Sequence, residues 1–148
     1  MKRLVSILML MVTLVISGCS NREISEYHYI YRGENDLWSA EYKVDATVTF
    51  FKRDDVLNAE TYKECMLTVT YKEDISDLSK VKNLIISYTS STGGGSLEEE
   101  FDSEPPTENV YTLKSRSTGS AIENEDETIQ VTINIDGEIQ TIELMNTK

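Results

Sequence analysis

From Trp38 to Phe50 the chain alternates without a break. Trp38, Ala40, Tyr42, Val44, Ala46, Val48 and Phe50 are apolar, and Ser39, Glu41, Lys43, Asp45, Thr47 and Thr49 between them are polar. Successive side chains of a strand point to opposite faces. The alternation therefore predicts one long strand with a dry face and a wet face. A dry face of this length has to be covered by a second layer of sheet.

The flanking segments supply candidates for that layer. Tyr27 to Arg32 is aromatic and predicts a first strand, with Gly33 to Asp36 as the turn into the long one. After a charged, irregular segment from Lys52 to Ala59, a third strand is expected from Glu60 or Thr61 to Lys72. It would face Cys65, Leu67, Val69 and Tyr71 inward. Ile75, Leu78 and Val81 recur every third residue, which suits a single helical turn over Asp74 to Lys80. Lys82 to Ser90 reads as a fourth strand with Leu84, Ile86 and Tyr88 on one face. Ser91 to Gly95 reads as a flexible hairpin loop. Ser96 to Phe101 follows as an edge strand blunted by Glu98, Glu99 and Glu100.

Beyond Pro105-Pro106, Val110 to Arg116 predicts another strand and Ser117 to Asp126 a polar, acidic loop. The last pair is the clearest local signal after the long strand. Ile129, Val131, Ile133 and Ile135 share a face, and Asp136-Gly137 suits a two-residue type I′ turn back into Glu138 to Leu144. That turn pairs Ile135 with Glu138, Val131 with Ile142 and Ile129 with Leu144. The whole predicts an all-β fold, an immunoglobulin-like antiparallel β-sandwich of about 7–8 strands. A small β-barrel is the alternative.

The N-terminus has a different character. Met1-Lys2-Arg3 is basic, and Leu4 to Ile16 is apolar and uncharged. About 13 residues of helix span about 20 Å, too short for a hydrocarbon core of ~30 Å. Residues 1–18 therefore read as an export signal. The ending Ile16-Ser17-Gly18-Cys19 resembles the lipobox of bacterial lipoproteins. The resemblance implies that Cys19 takes a diacylglycerol thioether and becomes the mature N-terminus. The chain would then be held on the extracytoplasmic face of the cell membrane, its partner there being the lipid bilayer. Two acyl chains are what stable anchoring requires. Residues 19–26 would form the lipidated tether and 27–148 a single domain.

Further motifs extend the likeness. Gly33, Glu34, Trp38 and Tyr42 form a Gly-Glu-x-x-x-Trp-x-x-x-Tyr stretch opening the long strand. Gly93 to Gly95 follow the strand bearing Tyr88, and Asp126, Val131 to Ile135, Gly137 and Thr141 to Leu144 close the chain. In these features the sequence resembles a group of small lipoproteins of Gram-positive bacteria. The resemblance implies location and fold and brings no activity with it.

Charge narrows the partners. The chain has 14 basic and 26 acidic residues, a net −12, and loss of the signal would remove Lys2 and Arg3 as well. Nucleic acid, which needs basic patches, is excluded as a partner. So is flat electrostatic adsorption on an anionic membrane. With Cys19 acylated, Cys65 is the one remaining thiol, so no intramolecular disulfide forms. Cys65 lies in phase with Leu67 and Val69 and reads as a small buried hydrophobe. A nucleophilic cysteine would want a histidine, and the one histidine, His28, lies on another strand.

No residue pattern calls for a cofactor. Glu98 to Glu100 with Asp102 and Glu104, and the Glu123 to Glu127 run, lack the spacing and glycine of a calcium loop and read as solvated acids. Zinc would need more His and Cys than the chain offers. The nucleophile motif G-x-S-x-G is missing. Tyr27, Tyr29, Tyr31 and Trp38 are the candidate binding residues, as an aromatic platform. The expectation is a non-catalytic binding or interaction module for an envelope protein or glycan. The alternative is a small envelope hydrolase working through a pair of carboxylates.

Overall fold

The computed structural model describes residues 22–102 and 104–147, so residues 1–18 and Cys19 lie outside the described residues. The fold is all-β. Eight strands run β1 (Arg22–Glu34), β2 (Trp38–Arg53), β3 (Val56–Tyr71), β4 (Asn83–Ser90), β5 (Gly93–Glu100), β6 (Val110–Thr118), β7 (Ile129–Ile135) and β8 (Glu138–Asn146). They form one antiparallel sheet in the order β5-β4-β7-β8-β1-β2-β3-β6. The sheet has two four-stranded halves that face each other across the core. They are joined by a short ladder, Tyr31 opposite Asn146 and Arg32 opposite Met145. The edge strands β5 and β6 approach one another on the far side without a ladder, so the sandwich is close to a closed barrel.

The long alternation folds as its pattern demands. Trp38, Ala40, Tyr42, Val44, Ala46 and Val48 are buried, and Phe50 is half-buried where β2 runs past the core. Leu84, Ile86, Ile129, Val131, Ile133, Ile142 and Leu144 of the other half complete one apolar cluster with them. Tyr42 of β2 and Tyr88 of β4 meet across it, ring centroids 5.0 Å apart. The last hairpin has the expected register, with Asp136 and Gly137 at φ 52° and 96°. Asp136 also accepts from the backbone N–H groups of Lys82 and Asn83, tying this turn to the start of β4. The expected helical turn is a 3-10 turn at Ile75–Leu78, capped by Asp74.

Three boundaries differ from expectation. β1 starts at Arg22, five residues early, because the 16-residue β2 offers it pairing partners back to Phe51. Residues 22–26, expected in the tether, thus belong to the sheet. The segment from Lys52 to Ala59 is no irregular loop but the tip of the β2–β3 hairpin. Asp54 and Asp55 take φ 52° and 62° there, the left-handed pair a type I′ turn needs. Gly93 to Gly95 lie in β5, and the turn is Ser91-Thr92. A Cβ on Gly94 would stand 2.5 Å from the Tyr88 carbonyl oxygen, so this strand crosses too close for a side chain.

Gly33 has a similar reason at the seam. A Cβ there would lie 2.2 Å from the Glu143 carbonyl oxygen, where β1 and β8 cross. The seam holds because that space is left empty.

Candidate functional site

Two places gather chemically active side chains. One is the outer face of the β1-β2-β3-β6 half, where the antiparallel register sets residues in rows across the strands. One row is His28, Asp45, Glu64 and Arg116; the next is Ile30, Lys43, Met66 and Lys114; a third is Arg32, Glu41, Thr68 and Thr112. The charges pair within and between rows. His28 Nδ1 lies 2.7 Å from Asp45, and Arg32 Nε and Lys43 Nζ lie 2.6 and 2.9 Å from Glu41. Arg116 Nε donates to Glu64 at 2.6 Å and its guanidinium lies over the Tyr62 ring. The hydrogen bond from Tyr62, then that from Arg116, hold the Glu64 carboxyl below its ordinary pKa. The bond from Lys43 does the same for Glu41.

Lys114 is the exception. It is exposed and has no hydrogen bond or ion pair among the described residues. It sits on an open groove of about 390 Å³ lined by Lys43, Asp45, Glu64, Met66, Lys114 and Arg116. In a strongly acidic chain, this groove carries more cations than anions.

The second place is interior. Lys63 of β3 falls on the inward face of its strand, and Glu123 comes from the loop between β6 and β7. Their side chains are 7% and 1% exposed. Lys63 Nζ lies 3.1 and 3.2 Å from the two carboxylate oxygens of Glu123 and 2.7 Å from Thr92 Oγ1. Glu123 Oε1 also accepts from Thr92 at 2.6 Å, Tyr42 at 3.0 Å and Ser90 at 3.2 Å. Burial pushes the Glu123 pKa up, but the bonds from Thr92 and Lys63 outweigh it, and the carboxyl sits below its ordinary value. Burial raises the pKa of Tyr42 and of the Cys65 thiol alongside. The remaining cavity is about 150 Å³.

The same loop is pinned along its length. Tyr31 OH donates to the Asn124 carbonyl, Asn146 to that of Glu125, and Ser91 donates to the Glu127 carboxylate through both its backbone N–H and its hydroxyl. The acidic loop is therefore a plug across the mouth of the sandwich, and Glu123 is not the solvated acid its run suggested. Its register hides this, because the two charges that meet lie 60 residues apart.

The candidate aromatic residues divide. Trp38 and Tyr31 are fully buried, and Tyr27 and Tyr29 are half-buried on the same inward face. The rings run Tyr27, Tyr29, Tyr31, Tyr42 at centroid spacings of 6.3, 6.3 and 6.2 Å, so the row leads into the core instead of forming an outward platform. Trp38 packs between Tyr71 and Tyr111. Cys65 is buried and free, as its phase predicted. His28 stands on the outer face, so the two do not meet. Glu98 and Glu100 are exposed on the edge strand β5. Compared with family models, with curated proteins and with solved structures, the chain matches none.

Proposed function

We propose that the protein is a lipoprotein anchored through Cys19 on the extracytoplasmic face of the cell membrane. It acts there as a non-catalytic binding module for an envelope protein or glycan, and takes an anionic part of that ligand on the Lys43–Lys114 groove. The lipobox sequence supports the location. The observation that carries the binding role is Lys114, an exposed cation without a partner among the described residues, beside Lys43 and the apolar Met66. A groove of about 390 Å³ falls within the usual range of ligand sites, roughly 300–1,000 Å³.

Crosslinking and pulldown from the native envelope test the reading. Lys43→Glu with Lys114→Glu should lose what the unaltered protein captures, and equal capture by both would refute the groove. Cys19→Ser should leave uncleaved precursor or release soluble protein. A Cys19→Ser product that still carries lipid would refute the anchor.

One observation favours the hydrolase reading. Thr92 Oγ1 bridges Glu123 and Lys63, the arrangement of a hydroxyl beside a base. The cavity of about 150 Å³ weighs against it, being below the size of ordinary ligand sites at roughly 300 Å³ and above. Hydrolysis of an envelope polymer that Thr92→Ala abolishes, with fold retained, would establish this second reading.

A further inference from the structure

We infer that the free end of the β1-β2-β3 half is a membrane-docking finger that lies in the bilayer interface beside the lipid anchor. The inference rests on the proposed lipidation of Cys19. The ladder from β6 reaches along β3 only to Tyr62, and that from β8 reaches along β1 only to Tyr31. Residues 22–27, 47–53 and 56–61 therefore project as a three-stranded finger, without those neighbours at its edges.

This finger collects exposed apolar surface. Ile24, Val56 and Leu57 are 62%, 61% and 65% exposed. With Tyr62 at its base, they make four of the seven large apolar side chains that stand exposed among the described residues. By register, Ile24, Phe51 and Val56 share the outer face with Arg22 and Arg53. The Arg53 guanidinium lies 6.0 Å from the centroid of the Phe51 ring. Aromatic and aliphatic side chains rimmed by arginines are what the boundary between headgroups and acyl chains accommodates.

Covalent geometry decides the occupant. Arg22 is three residues from Cys19, so its Cα lies within about 10 Å of the lipidated residue's Cα. The row that Arg22 shares with Phe51 and Asn58, two strand spacings wide, is thereby held within about 20 Å of the lipidated residue, closer than any other part of the sheet is tethered. Asp54 and Asp55 at the turn keep the tip out of hydrocarbon, so the finger docks aslant through Ile24, Phe51 and Val56. Arg22, Lys52 and Arg53 are outnumbered by Glu23, Glu26, Asp54, Asp55 and Glu60, so the finger has no net positive charge to draw it to a membrane. The contact is therefore apolar in its driving force and changes little with salt, unlike adsorption by a basic patch.

The test uses the full lipidated protein in phosphatidylcholine vesicles whose acyl chains carry bromine. Val56→Trp and, separately, Leu57→Trp place a reporter on the finger. Ile139→Trp is the control at the opposite end, where Asn35 of the β1–β2 turn bonds the neighbouring Gln140. The buried Trp38 contributes an equal background to all three. At least one finger reporter should shift to the blue and be quenched about twofold or more, at low salt and at high, while Ile139→Trp is unaffected. Mass spectrometry of the same sample reads lipid on Cys19. Lipidated protein whose finger reporters are quenched no more than Ile139→Trp overturns the inference alone. An unmodified Cys19 overturns the anchoring reading and the inference with it. A blue shift that appears on concentration without vesicles assigns the finger to a second copy of the chain and overturns it too.

Discussion

Replacing Lys63 by methionine keeps an apolar chain of similar length and removes the ammonium. Glu123 is then left 1% exposed with the hydroxyls of Thr92, Tyr42 and Ser90 and no cation at its carboxylate. Removing one partner of a buried pair costs about 3–5 kcal/mol, because the other charge stays uncompensated. Against a total of roughly 5–15 kcal/mol for a domain of this size, Lys63→Met should leave the fold marginal. Lys63→Met combined with Glu123→Leu removes both charges and should be less damaging than Lys63→Met alone.

Denaturant melts followed by the buried Trp38 would measure all three proteins. The pH dependence adds a sign. Glu123 titrates below its ordinary 4.5 when folded, so its contribution is present at neutral pH and is lost as pH falls below that value. In Lys63→Met the lysine no longer helps the Thr92 hydroxyl to oppose burial, so the pKa of the acid rises relative to the unaltered protein and the deficit of that variant should shrink on acidification. A loss below about 1 kcal/mol, the range of exposed ion pairs, would mean that water screens the pair and that the interior is not dry there. A double variant worse than Lys63→Met alone would refute the expected order, and would show that the carboxylate stabilises through Thr92, Tyr42 and Ser90 even without the lysine.

Three further outcomes follow from packing. Val44→Ala should cost about 1–3 kcal/mol and Thr47→Ala, on the opposite face of β2, no more than about 0.5 kcal/mol, as read from equilibrium unfolding. Gly33→Ala puts a methyl into the Glu143 backbone and should cost about 1–3 kcal/mol or more, with β1 and β8 amides at the seam losing hydrogen-exchange protection first. Cys65 should resist thiol reagents while the domain is folded, labelling at the rate of opening; immediate labelling under native conditions would show the thiol to be accessible.

What the sequence made legible is what repeats along it. A period of two over Trp38 to Phe50 and over Ile129 to Ile135 marks the dry faces without knowledge of any partner. Asp136-Gly137 reveals its turn because glycine takes positive φ freely. Asp54-Asp55 makes the same kind of turn without a glycine, and its charges read as loop. The glycines 93 to 95 looked like slack, whereas Gly94 and Gly95 are close-contact positions against Tyr88. Lys63 carried a usable sign: it stands in phase with Cys65, Leu67 and Val69, so a charge was bound for the interior. Its partner was hidden in an acidic run where Glu123 looks like its neighbours. The phase of Trp38 already set it on the dry face, whereas the side taken by Tyr31 stayed open because aromatic character does not say which side of a strand is covered. The groove depends on rows drawn from three strands and has no linear signature.

The seam between β1 and β8 also sets an order of events in time. During synthesis the first three strands can pair as they emerge, since each follows its neighbour through a short turn. The other neighbour of β1 is the last strand, about a hundred residues later, and loops of that length close slowly because so much chain must be brought together first. Until then β1 waits with its free side open to any passing strand, its own copies included. The two residue pairs that finally join the halves are thus the latest step of its assembly.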